Sequence, residues 1–203
     1  MKRRKVNVPN IITLSRIGFA ILTLGLLELK NFYTTLAAIF IIIFVIFLDF
    51  LDGFIARKFG MTTELGAVLD ITGDRIVEYL FWLYFSVVKI ISFWFPVIVI
   101  VRGVMVDTLR NVAFSKGKKP YEIQRRKVAK FLVESPYMRT SYAIMKAVTF
   151  SLMGLDLFVK RQVPNFSFAS SLHTVVLIFA VLTVLQSIAR AIPVLVEASR
   201  ELF

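Results

Sequence analysis

Four aspartates stand in two short stretches of an otherwise apolar sequence: Asp49 and Asp52 in LDFLDGFIARKFG, Leu48–Gly60, and Asp70 and Asp74 in GAVLDITGD, Gly66–Asp74. Asp49, Asp52, Gly53 and Ala56 follow an i, i+3, i+4, i+7 pattern, a single stripe of one helix. Gly66, Asp70 and Asp74 are spaced by four, which drifts only about 40° per step. If the two stripes face each other, four carboxylates converge on one cavity. A charged residue at mid-membrane costs about 2.5–3.5 kcal/mol on insertion scales, and repulsion between like charges adds to that. Divalent cations relieve both. A set made only of oxygen ligands suits Mg²⁺, Mn²⁺ or Ca²⁺ and argues against zinc or copper. Arg57 suits a phosphate on whatever the metals bind, and Gly53, Ala56 and Gly66 would let the backbones approach closely. The plainer alternative is that the aspartates only form salt bridges with Arg57, Lys58 and Arg75.

The elements that must position these residues are membrane helices. The chain has 203 residues, is 58% apolar and carries 25 Lys+Arg against 13 Asp+Glu. Several of its apolar windows reach the roughly 20 residues needed to cross about 30 Å of hydrocarbon. The pattern predicts an all-α, polytopic integral membrane protein with six transmembrane helices, at about 11–29, 33–58, 64–88, 93–115, 134–158 and 172–198. No repeat, low-complexity segment or second domain interrupts residues 1–203, so one transmembrane domain is expected.

The charges give an orientation. Lys2, Arg3, Arg4 and Lys5 precede the first span, and Lys116, Lys118, Lys119, Arg125, Arg126, Lys127 and Lys130 fill the fourth connection. The odd connections offer only Lys30, Lys89, Lys160 and Arg161. The positive-inside rule places both termini and the even connections on the cytoplasmic side of the cytoplasmic membrane. Lys116–Lys130 reads as a short amphipathic cytoplasmic segment at the interface with anionic headgroups. These charges flank spans and lack interleaved aromatic residues, so no nucleic-acid partner is expected. The basic start followed by an apolar stretch looks like a signal peptide, but no small-residue cleavage site follows before Glu28, and it is read as an uncleaved span. Cysteine is absent, which excludes disulfides and thiolate chemistry.

Depth then brings the two aspartate stripes together. A second helix starting near Tyr33 on the outer side spends about 20 residues crossing the hydrocarbon, so Asp49 to Arg57 reach the cytoplasmic edge. The third helix starts from that edge near Glu64, with Asp70 and Asp74 roughly 9 and 15 Å along it. The only histidine, His173, lies near the outer end of the last helix and is read as structural.

The pattern DxxDGxxAR, eight residues, then GxxxDxxxD resembles the signature of the CDP-alcohol phosphatidyltransferases, and all its positions are present: Asp49, Asp52, Gly53, Ala56, Arg57, Gly66, Asp70 and Asp74. The resemblance implies a reaction in which a CDP-activated lipid, bound through its diphosphate to two Mg²⁺ or Mn²⁺ ions, is attacked by an alcohol and CMP leaves. It implies Asp49, Asp52, Asp70 and Asp74 as metal ligands, with Asp74 also the catalytic proton acceptor. Gly53, Ala56, Arg57 and Gly66 would bind the CDP-lipid. A homodimer is implied by the resemblance alone. A prenyltransferase and a cation transporter are the rivals from other classes. The first has no reason to carry GxxAR, and the second should keep its carboxylates near the midplane.

The acceptor is read from the later helices. Arg102 and Arg110 are eight apart, Arg139 and Lys146 seven apart, and each pair approximates one helix face. An arginine inside a span calls for an anion, which is either a carboxylate (Asp107, Glu78 or Glu134) or the phosphate of the acceptor. VRGVMVDTLRNVAFSKG, Val101–Gly117, and VPNIITLSRI, Val8–Ile17, resemble phosphatidylglycerophosphate synthases, which implies glycerol 3-phosphate. Gly103 stands where those enzymes usually have Glu. DITGDRIVE, Asp70–Glu78, looks more like the inositol phosphate branch, so inositol phosphate stays open as acceptor, as does serine.

Overall fold

The computed structural model describes residues 8–58, 64–115 and 135–202, and within these the side chains of residues 8–9, 50–58, 64–65, 67, 110–111, 113–115, 136 and 197–202 are outside the description. The described chain is all helical. Its elements are α1 (Val8–Glu28), α2 (Phe32–Lys58), α3 (Glu64–Val87), α4 (Trp94–Ser115), α5 (Pro136–Gln162) and α6 (Ala169–Leu202). Lys116–Lys130, expected as an amphipathic segment, lies outside the described residues.

Four helices, α1, α2, α5 and α6, have described stretches long and apolar enough to cross a membrane. The other two are as long, 24 and 22 residues; charges interrupt α3, and in α4 the continuous run of described side chains covers only 94–109. Asp70, Asp74, Arg75 and Glu78 sit in α3, and Arg102, Asp107 and Arg110 in α4. Asp70, Asp74, Arg102 and Arg110 among them were singled out for chemistry.

The chain divides into two compact units interleaved in sequence. One comprises residues up to Ile90 with Phe150–Ala169, the other Ile91–Thr149 with the residues from Ser170 onward. In the first, α1 packs against α2 and α3. Its core holds Leu27, Ile42, Val45, Phe81, Trp82, Phe85 and Met153, all at most 1% exposed. Phe150 stacks edge-on against Trp82, and Gly154 lets α5 close on α2. In the second unit, Val106 of α4 packs with Ala191 and Val194 of α6. Hydroxyls join α5 to α6, where Thr149 and Thr183 hydrogen-bond at 2.8 Å and Gln186 donates to Ser141 at 2.7 Å. Such pairs are a usual adhesive between helices that have no water to avoid.

Helix ends follow local chemistry. α3 closes in a complete Schellman motif: Lys89 N–H donates to Ser86 O and Ile90 N–H to Phe85 O, with Lys89 left-handed at φ 61°. The buried Phe85 and Ile90 supply the apolar contact that accompanies it. α5 runs past the expected stop at 158 because its polar end has partners. Lys160 pairs with Asp156 at 3.1 Å, Arg161 donates to Leu27 O, and Gln162 to Lys30 O at 3.0 Å. Leu27 lies in the last turn of α1, where carbonyls lack the usual i+4 partner, and Lys30 lies just past it, so the end of α5 caps the α1–α2 turn.

Candidate metal and phosphate sites

Asp49 stands about two and a half turns from the end of α2, and Asp70 and Asp74 project about one turn apart from α3. The chain brings these three carboxylates together, with one oxygen from each lying within 4.8 Å of the others. Their side chains are 39, 50 and 41% exposed, so the cluster opens outward and is reachable. The donor set is all oxygen, partly exposed and anionic, which fits a hard divalent cation. Asp52, Gly53, Ala56 and Arg57 lie on the helical backbone of α2, but their side chains are outside the described residues. Gly66 lies in the first turn of α3.

The partner that sequence reasoning missed is Arg16 of α1. Its side chain is 2% exposed, and its two terminal nitrogens fork between helices: Nη1 donates to Asp49 Oδ1 and Nη2 to Asp74 Oδ1, each at 2.5 Å. Nη1 is also 3.7 Å from Asp70 Oδ1. Arg75, considered above as a salt-bridge partner, pairs with the buried Glu78 at 3.2 Å, and the side chains of Arg57 and Lys58 are outside the described residues. Arg16 left a signal in the sequence, being a lone charge in an apolar span, the same feature that drew attention to Arg102.

Gly73 explains how α1 reaches the aspartates. A Cβ on Gly73 would lie 2.7 Å from Thr13 Cγ2. Thr13 is one turn from Arg16 and Gly73 is next to Asp74, so this contact sets the reach of the guanidinium. The expected small residues Gly53, Ala56 and Gly66 are all on other turns.

In the second unit, three cations gather on one ring. Arg102 Cζ, Lys146 Nζ and Arg190 Cζ lie 5.8, 5.1 and 5.2 Å from the ring centroid of Tyr142, which is buried. They come from α4, α5 and α6. Arg102 Nε donates to Ser187 O at 3.0 Å, and its Nη1 is buried without an acceptor among the described residues. Of the carboxylates considered above for Arg102, Glu78 pairs with Arg75, and Glu134 lies outside the described residues. Arg139, also expected here, is exposed near the start of α5, while the side chain of Arg110 is outside the described residues. Arg190 was missed, although it too is a lone charge in an apolar run.

Residues 6–185 match the family model described as CDP-alcohol phosphatidyltransferase. The chain belongs to this family. Curated relatives share the likeness. A CDP-diacylglycerol--glycerol-3-phosphate 3-phosphatidyltransferase of Aquifex aeolicus is 35% identical over 74 residues, 36% of this chain and 40% of the relative. Proteins of the same name from Wigglesworthia glossinidia brevipalpis and Haemophilus influenzae are 31 and 34% identical over 121 and 130 residues, 56 and 57% of this chain and 64 and 63% of each relative. The chain thus spans less than two thirds of the length of the relatives it matches. Within the family signature, α2 and α3 supply the three described carboxylates, and α1 supplies the arginine beneath them.

Proposed function

We propose that this chain transfers a phosphatidyl group from a CDP-activated lipid such as CDP-diacylglycerol to glycerol 3-phosphate, with release of CMP. The observation that carries the reading is the convergence of Asp49, Asp70 and Asp74 from two helices within a full family signature. Asp49, Asp52, Asp70 and Asp74 would hold two Mg²⁺ or Mn²⁺ ions, which neutralise diphosphate charge and align the leaving CMP when bound. The protein's own groups do the rest. Arg57, with Gly53, Ala56 and Gly66, binds the nucleotide diphosphate. Asp74 accepts the proton of the attacking hydroxyl, and the lipid's tails stay in the bilayer while its headgroup meets a water-soluble acceptor. Six spans, termini and active site on the cytoplasmic side, one domain over 1–203 and a homodimer complete this reading.

Glycerol 3-phosphate is favoured by the names of the relatives and by the cations around Tyr142. Three cations from three helices suit a phosphate dianion, because charge-assisted and often bidentate bonds to Arg are among the strongest available. Arg102, Lys146 and Arg190 are therefore the acceptor-binding set, with Arg110 and Arg139 nearer the ends of their helices. Inositol phosphate satisfies the same cations and is the second reading, whereas serine gives them no task. Family membership weighs against the prenyltransferase and transporter readings.

The test gives the purified chain CDP-diacylglycerol and Mg²⁺ with glycerol 3-phosphate, inositol phosphate, serine or free inositol, and follows CMP. Release with glycerol 3-phosphate above the other three is expected. Preference for serine or free inositol would overturn the phosphate pocket, and no CMP with any alcohol would overturn the transferase reading.

A further inference from the structure

Two of the buried carboxylates have a cation on their own helix. Glu78 has Arg75 at 3.2 Å, and Asp156 has Lys160 at 3.1 Å. Arg16 is arranged differently. It is a buried cation whose partners come from two other helices, and those partners are the half-exposed carboxylates of the aspartate site. The guanidinium therefore approaches the cluster from the protein side, while the carboxylates keep an outward face.

We propose that Arg16 is a positioning residue and permanent counter-cation of the aspartate site: it holds Asp49 and Asp74 in register between α2 and α3 and lowers the site's affinity for divalent cations. The proposal rests on the reading of these aspartates as metal ligands. Arginine stays charged at any working pH, and its planar fork suits two carboxylates at once. Three carboxylates sharing one cavity repel each other, and a cation fixed among them relieves that repulsion before any metal arrives. The same charge then repels an incoming dication at a few Å, so the site binds metal less tightly than three unopposed aspartates would. Thr13 against Gly73 fixes the guanidinium's reach, and withdrawal would leave it buried and unpaired, which is strongly unfavourable.

The experiment uses the full chain in detergent, titrated with Mn²⁺ by electron paramagnetic resonance and melted in EDTA. Arg16→Gln is expected to bind Mn²⁺ tighter by about tenfold or more, the scale of one charge at a few Å in a partly screened site. It should melt lower than the unmodified chain in EDTA and regain most of that loss in saturating Mn²⁺. Arg16→Lys, which keeps the charge, should stay near the original Mn²⁺ affinity. A purely structural arginine would not tighten metal binding when removed, so unchanged or weaker Mn²⁺ binding by folded Arg16→Gln overturns the proposal. A further arm uses Asp49→Asn/Asp74→Asn. In that background Arg16, still buried, keeps only the more distant Asp70 of these three carboxylates, at 3.7 Å, and adding Arg16→Gln should raise the melting temperature in EDTA. An unchanged or lower value overturns the counter-cation role, even if Arg16→Gln alone fails to fold. Failure of the unmodified chain to bind Mn²⁺ would overturn the metal reading and the affinity part of the proposal, and the EDTA arm would still decide the positioning part.

Discussion

Gly73 of α3 lies so close to Thr13 of α1 that a methyl group on it would come within 2.7 Å of Thr13 Cγ2. Thr13 is β-branched and buried, so it has little freedom to turn aside. Gly73→Ala should therefore push α1 from α3 and draw Arg16 away from Asp74. Loss of most CMP release is expected, with destabilisation in the range of about 1–3 kcal/mol that overpacking typically brings. Thr13→Ser removes the obstructing methyl and should restore part of both losses in the double variant. Full activity of Gly73→Ala would show that the α1–α3 approach does not set the site.

Gly154 is the comparison. Its added Cβ would meet Ile39 Cγ1 and Ile42 Cδ1, each at 3.3 Å, and these are side-chain atoms that can shift by a few tenths of an ångström. Gly154→Ala should cost less than about 1 kcal/mol and leave CMP release near normal, since better helix propensity offsets the tighter packing. A loss as large as that of Gly73→Ala would mean that α2 and α5 are as tightly constrained as α1 and α3.

These contrasts show what the sequence could and could not disclose. Spacing within one helix is legible, because residues at i+3 and i+4 share a face whatever surrounds them; Asp70 and Asp74 follow from that rule. Which helices meet, and through which atoms, is decided by packing between elements. Gly73 was invisible because a single glycine in a helix carries no mark of its neighbour. Arg16 was half legible: a charge in an apolar span announces a partner without naming it. The end of α5 was misplaced since Lys160, Arg161 and Gln162 have loop-like polarity, and only the carbonyls of Leu27 and Lys30 explain why the helix continues.

Lys89 offers a stability test away from both sites. It holds the left-handed position of the Schellman motif at φ 61°, where a side chain costs about 1–2 kcal/mol and glycine does not. Glycine's larger unfolded-state entropy returns roughly 0.5–1 kcal/mol of that gain. Lys89→Gly should therefore be neutral or raise Tm by up to a few degrees, and Lys89→Val should lower it. Thermal unfolding in detergent checks both, and a clear drop for glycine would mean that the lysine side chain makes a contact worth more than the strain.

Asp74 has two proposed roles, ligand and proton acceptor, which separate in kinetics. Asp74→Asn keeps an oxygen for a cation and removes the base. If proton transfer is its main task, CDP-lipid binding should persist while transfer falls by about 10²–10⁴-fold, the usual contribution of a positioned base. Calorimetry or a CDP-lipid competition assay measures the first quantity and CMP release the second. Loss of binding in step with turnover would leave Asp74 a ligand only.

The cations around Tyr142 predict which substrate suffers when each is lost. Arg102, Lys146 and Arg190 reach the same ring from three helices, and Arg102 has a buried terminal nitrogen with no acceptor among the described residues. A phosphate would supply that acceptor. Replacing any of the three by Gln should raise KM for the acceptor by roughly tenfold or more, as expected when a hydrogen bond to a charged group worth about 1.5–3 kcal/mol is removed, and leave KM for CDP-diacylglycerol within a few-fold. Arg139→Gln should have a smaller effect, because Arg139 is exposed near the start of α5, where a phosphate bond is weakened by water. Equal rises in both KM values would mean that these cations support the fold of their unit and bind neither substrate directly. A larger effect for Arg139 than for Arg190 would move the acceptor's phosphate to the start of α5.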